Sequence, residues 1–217
     1  MTRPASAMRT DSSSEFRNGW KVLLAGVVGV TLGASPIPFN LIGFTVAPLT
    51  AEFGWSRTEI ILPATIYGLI ASLMAPVFGW LSDRHGVRKV ALWSVFGFAL
   101  ALGAVALTPT VNSSSTLFFY YGIWCLIGLV GIGSTPITWS RAVNLWFFHH
   151  RGLALGILLL GTSLAALFVP KMAVWATEQF GWRNMFAIMA LLPMFISLPI
   201  AWLLFREPRP EETPKAL

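Results

Sequence analysis

Between two long apolar runs lies the densest cluster of charge in the chain, Gly79-Trp80-Leu81-Ser82-Asp83-Arg84-His85-Gly86-Val87-Arg88-Lys89. Lipid offers a backbone no hydrogen bonds, so an apolar run that crosses it must be helical. Two such helices joined by so short a turn form an antiparallel hairpin. Arg84, His85, Arg88 and Lys89 then mark the turn as cytoplasmic. Composition agrees: hydrophobic residues make up 55% of the chain and charged residues 11%, where a soluble domain carries roughly a quarter charged residues. The net charge of +6 is spread over loops rather than gathered in one patch, which argues against a nucleic-acid partner. The one cysteine, Cys125, lies inside an apolar run and can form no internal disulfide.

Taken in order, residues 1–18 read as a polar cytoplasmic tail, residues 19–205 as a six-helix transmembrane domain, and residues 206–217 as a second tail or a linker. The run Leu23–Leu32 followed by Gly33-Ala34-Ser35 could mimic a signal peptide, but the apolar stretch continues past it, which argues against cleavage. The first helix is expected from about Trp20 to Pro48, bent near its middle by Pro36 and Pro38, which would release carbonyls beside Asn40. Gly54 suits the end of that helix, and Ser56 with Glu59 has capping-box spacing for the second, which ends near Ser82. The third, Arg88–Leu107, is uniformly apolar and is expected at the lipid-facing outside of the bundle. The fourth, Leu117–Arg141, carries Gly128, Gly131 and Gly133 for close packing. The fifth runs from Gly152 to about Trp175, and a Phe180-Gly181-Trp182-Arg183 turn leads into the sixth, which ends near Phe205.

With six spans both termini share a side. Arg3, Arg9, Arg17, Lys21, Arg84, Arg88, Lys89, Arg141, Arg151, Arg206, Arg209 and Lys215 fall on it, against Arg57, Lys171 and Arg183 on the other. Twelve against three predicts cytoplasmic termini. The repeated Phe-Gly-Trp turn, after helices one and five, is not a sign of duplication, because a three-plus-three repeat would pair the turn after helix one with that after helix four.

The pattern Gly79-x-Leu81-x-Asp83-Arg84-x-Gly86-x-Arg88-Lys89 resembles the signature loop between helices two and three of the major facilitator superfamily. Phe53-Gly54-Trp55-Ser56-Arg57, Trp146-Phe147 with Arg151-Gly152-Leu153-Ala154-Leu155-Gly156, and Gly181-Trp182-Arg183 are similar to loops of its bacterial members, in the style of the monocarboxylate and oxalate/formate branch. The resemblance implies an all-α membrane fold in which this chain is the N-terminal six-helix half, built as two inverted three-helix repeats, with substrate bound between two halves near the midplane. It implies that Gly79, Leu81, Asp83, Arg84, Gly86, Arg88 and Lys89 form a conformational switch loop, with Asp83 meeting a helix N-terminus of the other half. Gly86 is suited to a left-handed turn, and Gly79 to a close backbone approach. The fourth helix lacks a mid-helix arginine, and the fifth reads Gly161-Thr162-Ser163-Leu164-Ala165 with no glycine-proline motif, which argues against drug/proton antiport.

Charge is expensive inside a membrane, so the few polar groups there are the candidates for substrate contact or gating. Arg141 ends helix four, where it can anchor, gate or bind substrate. Lys171 lies about 30 Å along helix five from Arg151 and can snorkel to the surface or serve a gate or substrate. Asn40, Tyr67, Thr138 and Trp139 lie on helices that line the cavity in the resembled family, and helix–helix contact is the competing role for each. His149-His150 lacks a Cys or carboxylate partner at ligand spacing, so no metal site is expected. No nucleophile–base set, phosphate loop or cofactor motif occurs, so neither an enzyme nor an ATP-driven pump is indicated. The expectation is a secondary active carrier of the bacterial inner membrane for a small organic solute, an anion such as a monocarboxylate, working by alternating access. Its partners would be the bilayer, the substrate and a second six-helix half. The rivals are a six-helix carrier that works only as a homodimer, and a non-transporting fragment of an interrupted transporter gene.

Overall fold

A computed structural model describes residues 12–208. The outer parts of both predicted tails, 1–11 with Arg3 and Arg9 and 209–217 with Arg209 and Lys215, lie outside the described residues. Helices are α1 (Ser12–Thr31), α2 (Pro36–Phe53), α3 (Arg57–His85), α4 (Val87–Ala104), α5 (Ser114–Val130), α6 (Pro136–Trp146), α7 (Arg151–Leu192) and α8 (Leu198–Leu204), and no strand occurs among the described residues. Four helical runs are long and apolar enough to cross a membrane, Glu15–Phe53, Arg57–His85, Val87–Leu107 and Arg151–Leu204, and Ser114–Val130 is a shorter apolar helix.

The turns follow local chemistry. Gly54 ends α2 at φ 68°, donating its N–H to Thr50 O, and α3 opens with the full Ser56–Glu59 capping box. Gly181, at φ 79° and ψ 165°, breaks α7 from within. Arg151 at one end of this run bonds Asn144, while Arg206, just past its other end, is held by Trp146. Both ends therefore meet the same loop, and the chain must reverse at Gly181. The two Phe-Gly-Trp turns are packed on each other at the opposite end of the molecule. Arg183 pairs with Glu52 at 2.7 Å, Trp182 Nε1 donates to Glu52 at 2.8 Å, and the Phe53 ring lies between the rings of Trp55 and Trp182. Asn112 closes this end by donating to Phe53 O.

Four sequence expectations change. The first predicted tail is not all tail, since α1 begins at Ser12 and Glu15 accepts the backbone N–H groups of Phe148, His149 and His150. The third predicted helix is not peripheral: α4 buries nine of its 18 residues, among them Val95, Phe98 and Leu102, whereas α3 buries five of 29. Uniform apolarity suits a helix packed among helices as well as one in lipid. Gly86 has the expected positive φ, but its φ 90°, ψ 141° is an extended conformation rather than a left-handed helical one. The atoms nearest a Cβ at Gly79 belong to the Arg141 guanidinium rather than to another backbone, at a distance the Cβ would tolerate.

Candidate functional site

The predicted bend of the first helix is a complete break over residues 32–35, and the fourth predicted helix breaks likewise between α5 and α6, through a short 3-10 turn at Ile132–Ser134. The breaks touch. Ser134 Oγ accepts the Ala34 N–H at 3.0 Å, and a Cβ added to Gly131 or Gly33 would run into Ala34 Cβ or Ser134 O. Glycine is required here because two backbones cross without room for side chains. Pro38 has no N–H, so Ala34 O loses its partner one turn on. The Tyr67 hydroxyl donates to that carbonyl from α3. α2 and α6 both start with proline, the residue pre-set for a first helical turn.

The other candidates sit around this crossing in unequal ways. Trp139 is fully buried, donates Nε1 to Ser134 O at 3.1 Å, and lays its ring where a Cβ of Gly29 would stand. Thr138 is buried beside it on α6. Asn40 is half-buried and gives its amide N–H to Pro36 O at 2.8 Å, leaving its side-chain carbonyl available. Lys171 is exposed on α7, remote in sequence from both breaks.

Arg141 belongs with the 79–89 loop. Its Nη1 donates to Asp83 Oδ1 at 2.9 Å and to Gly79 O at 2.7 Å, so one guanidinium ties α6 to the end of α3. The pair is only partly shielded, with the side chains 39% and 69% exposed, which keeps it breakable. Beyond Gly86, Arg88 donates its backbone N–H to Glu207 at 3.0 Å and a guanidinium N–H to Trp202 O at 2.7 Å. A Cβ on Gly86 would meet the Glu207 carboxylate. Arg84 lies over the Trp80 ring at 5.3 Å, Leu81 is half-buried, and Lys89 is exposed. Sequence reasoning missed Glu207 and Glu15. Each sits in a stretch that reads as tail, and each meets a partner more than a hundred residues away. His149 and His150 face Glu15, and no group of three metal-ligating side chains occurs among the described residues.

Comparison with known proteins places these features in a family. An uncharacterized MFS-type transporter of Bacillus subtilis (strain 168) is 25% identical over 167 residues, covering 74% of this chain and 38% of that protein. The sialic acid transporter NanX of Escherichia coli (strain K12) is 24% identical over 178 residues, 80% of this chain and 40% of that one. A hexuronate transporter of the same strain is 25% identical over 202 residues, 89% and 43%. The chain thus spans about two-fifths of the length of these curated relatives. The family model described as Major Facilitator Superfamily matches residues 24–217, nearly the whole chain. This multi-pass membrane protein belongs to the major facilitator superfamily.

Proposed function

We propose that the chain is the N-terminal six-span half of a secondary active carrier for a small carboxylate, with both termini cytoplasmic. The observation that carries this reading is the contact between two broken helices at Ala34 and Ser134. Glycine- or proline-interrupted helices at corresponding positions of two repeats are where substrate sites form in carriers of this kind. These two breaks fall in the first and fourth spans, the corresponding positions of two inverted three-helix repeats. Each break starts a half-helix, at Pro36 and at Pro136, whose N-terminal end carries partial positive charge, which favours an anion nearby without a buried lysine or arginine. Relatives named for sialic acid and hexuronate support a carboxylate as substrate class.

In this reading Asn40 offers a polar contact, Tyr67, Thr138 and Trp139 hold the crossing in shape, and Lys171 serves the far gate. The Asp83–Arg141 pair locks α6 to the 79–89 switch loop in one state and opens in the other. The second half is supplied by a continuing chain or by a second copy. The test is thermal stabilisation of the complete carrier by a panel of carboxylates, neutral sugars and amino acids. A ligand at a hundred times its Kd stabilises the folded state by about 2.7 kcal/mol. Carboxylates are expected to raise the melting temperature and neutral sugars to leave it unchanged; the reverse would overturn the substrate class. Uptake by a demonstrated single copy of this chain alone would overturn the half-carrier reading.

A further inference from the structure

Near the charged turn, α3, α4 and the end of α5 leave a groove of about 430 Å³ between them. Its chemistry is graded. His85 and Lys89, on either side of the turn, stand at its mouth, while Phe78 and Leu81 of α3, Trp93 of α4 and Leu129 of α5 make an apolar shaft below them. From His85 to Phe78 is about 10 Å along the helix axis. The groove shares Leu81, His85 and Lys89 with the 79–89 loop but lies apart from the helix crossing and the Asp83–Arg141 pair: Ala34, Tyr67, Asp83, Ser134 and Arg141 do not line it.

Its mouth attracts an anion. Neither Lys89 nor His85 forms an ion pair among the described residues. Of the acids near the turn, Asp83 pairs with Arg141, and Glu207, from beyond α8, accepts the Arg88 backbone N–H. Its shaft is open to the side, since Trp93 is 73% and Leu129 45% exposed. In a membrane protein the turn stands at headgroup depth and the shaft at acyl depth. A helix from a partner, about 10 Å across, would need about twice this volume over the same length. One acyl chain needs less. We propose that this groove binds an anionic phospholipid, its phosphate on Lys89 and His85 and one chain along Trp93 and Leu129. A cation at the membrane surface favours an anionic lipid by about fivefold.

Native mass spectrometry of the complete carrier tests this, with dioleoyl phosphatidylglycerol and dioleoyl phosphatidylcholine added in equal amounts. The wild type is expected to retain phosphatidylglycerol preferentially. Lys89→Gln should lower that preference about fivefold while phosphatidylcholine retention stays the same. Leu129→Trp, which fills the shaft from its exposed side, should lower retention of both. Circular dichroism confirms that each exposed-site variant keeps its helices. Equal retention of the two lipids, an unchanged preference in Lys89→Gln, or displacement of the lipid by millimolar inorganic phosphate would each overturn the proposal. So would a lipid-free dimer that Leu129→Trp dissociates, because a second copy would then be the occupant.

Discussion

Asp83 and Gly86 lie three residues apart in one loop, yet they act through different physics. Asp83 is held by one guanidinium and is mostly solvent-exposed, so the pair contributes up to about 1 kcal/mol. Asp83→Asn is therefore expected to leave the melting temperature of the complete carrier nearly unchanged. It should shift the ratio of inward-open to outward-open protein by up to about fivefold and reduce transport. Exchanging the charges, Asp83→Arg with Arg141→Asp, should recover part of the loss; cysteine accessibility on the two sides, measured with uptake, checks both. Unchanged accessibility in Asp83→Asn would remove the pair from the switch. Gly86 acts through its backbone. Its φ of 90° suits no β-branched residue, and holding such a residue there costs about 1–3 kcal/mol. Gly86→Val should lower thermal stability by that order. If φ is the cause rather than contact with Glu207, adding Glu207→Ala will not rescue it.

Among the helices, the broken pairs α1–α2 and α5–α6 form the rigid element. At the α1–α2 break, proline removes a donor, a carbonyl is orphaned, and a side chain from a third helix supplies the missing hydrogen bond. Tyr67 does this for Ala34 O, fully inside the protein. Tyr67→Phe keeps the ring and its packing on Phe39 and Trp124 but leaves the carbonyl without its partner. The expected cost is about 1–3 kcal/mol, read as a lower melting temperature in detergent, with helicity unchanged. A variant as stable as wild type would mean that the break is satisfied by another route. α3, which carries Tyr67, otherwise presents Leu62, Leu69, Leu73, Val77 and Trp80 outward. It is thereby joined to the other helices at one buried stripe and left open over most of its length.

Across the whole chain, polar staples stand at both ends of the bundle and the apolar length lies between them. Glu52, Asn112 and Arg183 close one end; Glu15, Asp83, Arg141 and Glu207 close the other. The basic bias predicts that the second end is cytoplasmic. Cysteines placed at Ser12 and His149 should then resist an impermeant thiol reagent in intact cells, while one at Asn112 should label. Labelling at His149 without labelling at Asn112 would invert the orientation. The open face of α3 also predicts that the chain expressed alone self-associates in detergent, which light scattering would detect. A stable single copy at high concentration would argue against a face that needs a partner.

The apolar helical runs, their turns at Gly54 and Gly181 and an interruption of the first span at its prolines were legible in the linear order of residues because each rests on local physics. Lipid forces an apolar run to satisfy its own backbone, glycine alone adopts φ near 68° or 79° without strain, and Ser56 and Glu59 cap a helix from three residues apart. The repeated Phe-Gly-Trp turns were legible as turns, but not as each other's packing partners. Asp83 with Arg141, Glu15 with the 148–150 amides, Glu207 with Arg88 and Tyr67 with Ala34 could not be read in this way. Those partners are 33 to 135 residues apart, and which polar group meets which depends on where the helices cross. Nor could the burial of α4 be read, since a helix interface and a lipid tail are equally apolar and select the same side chains.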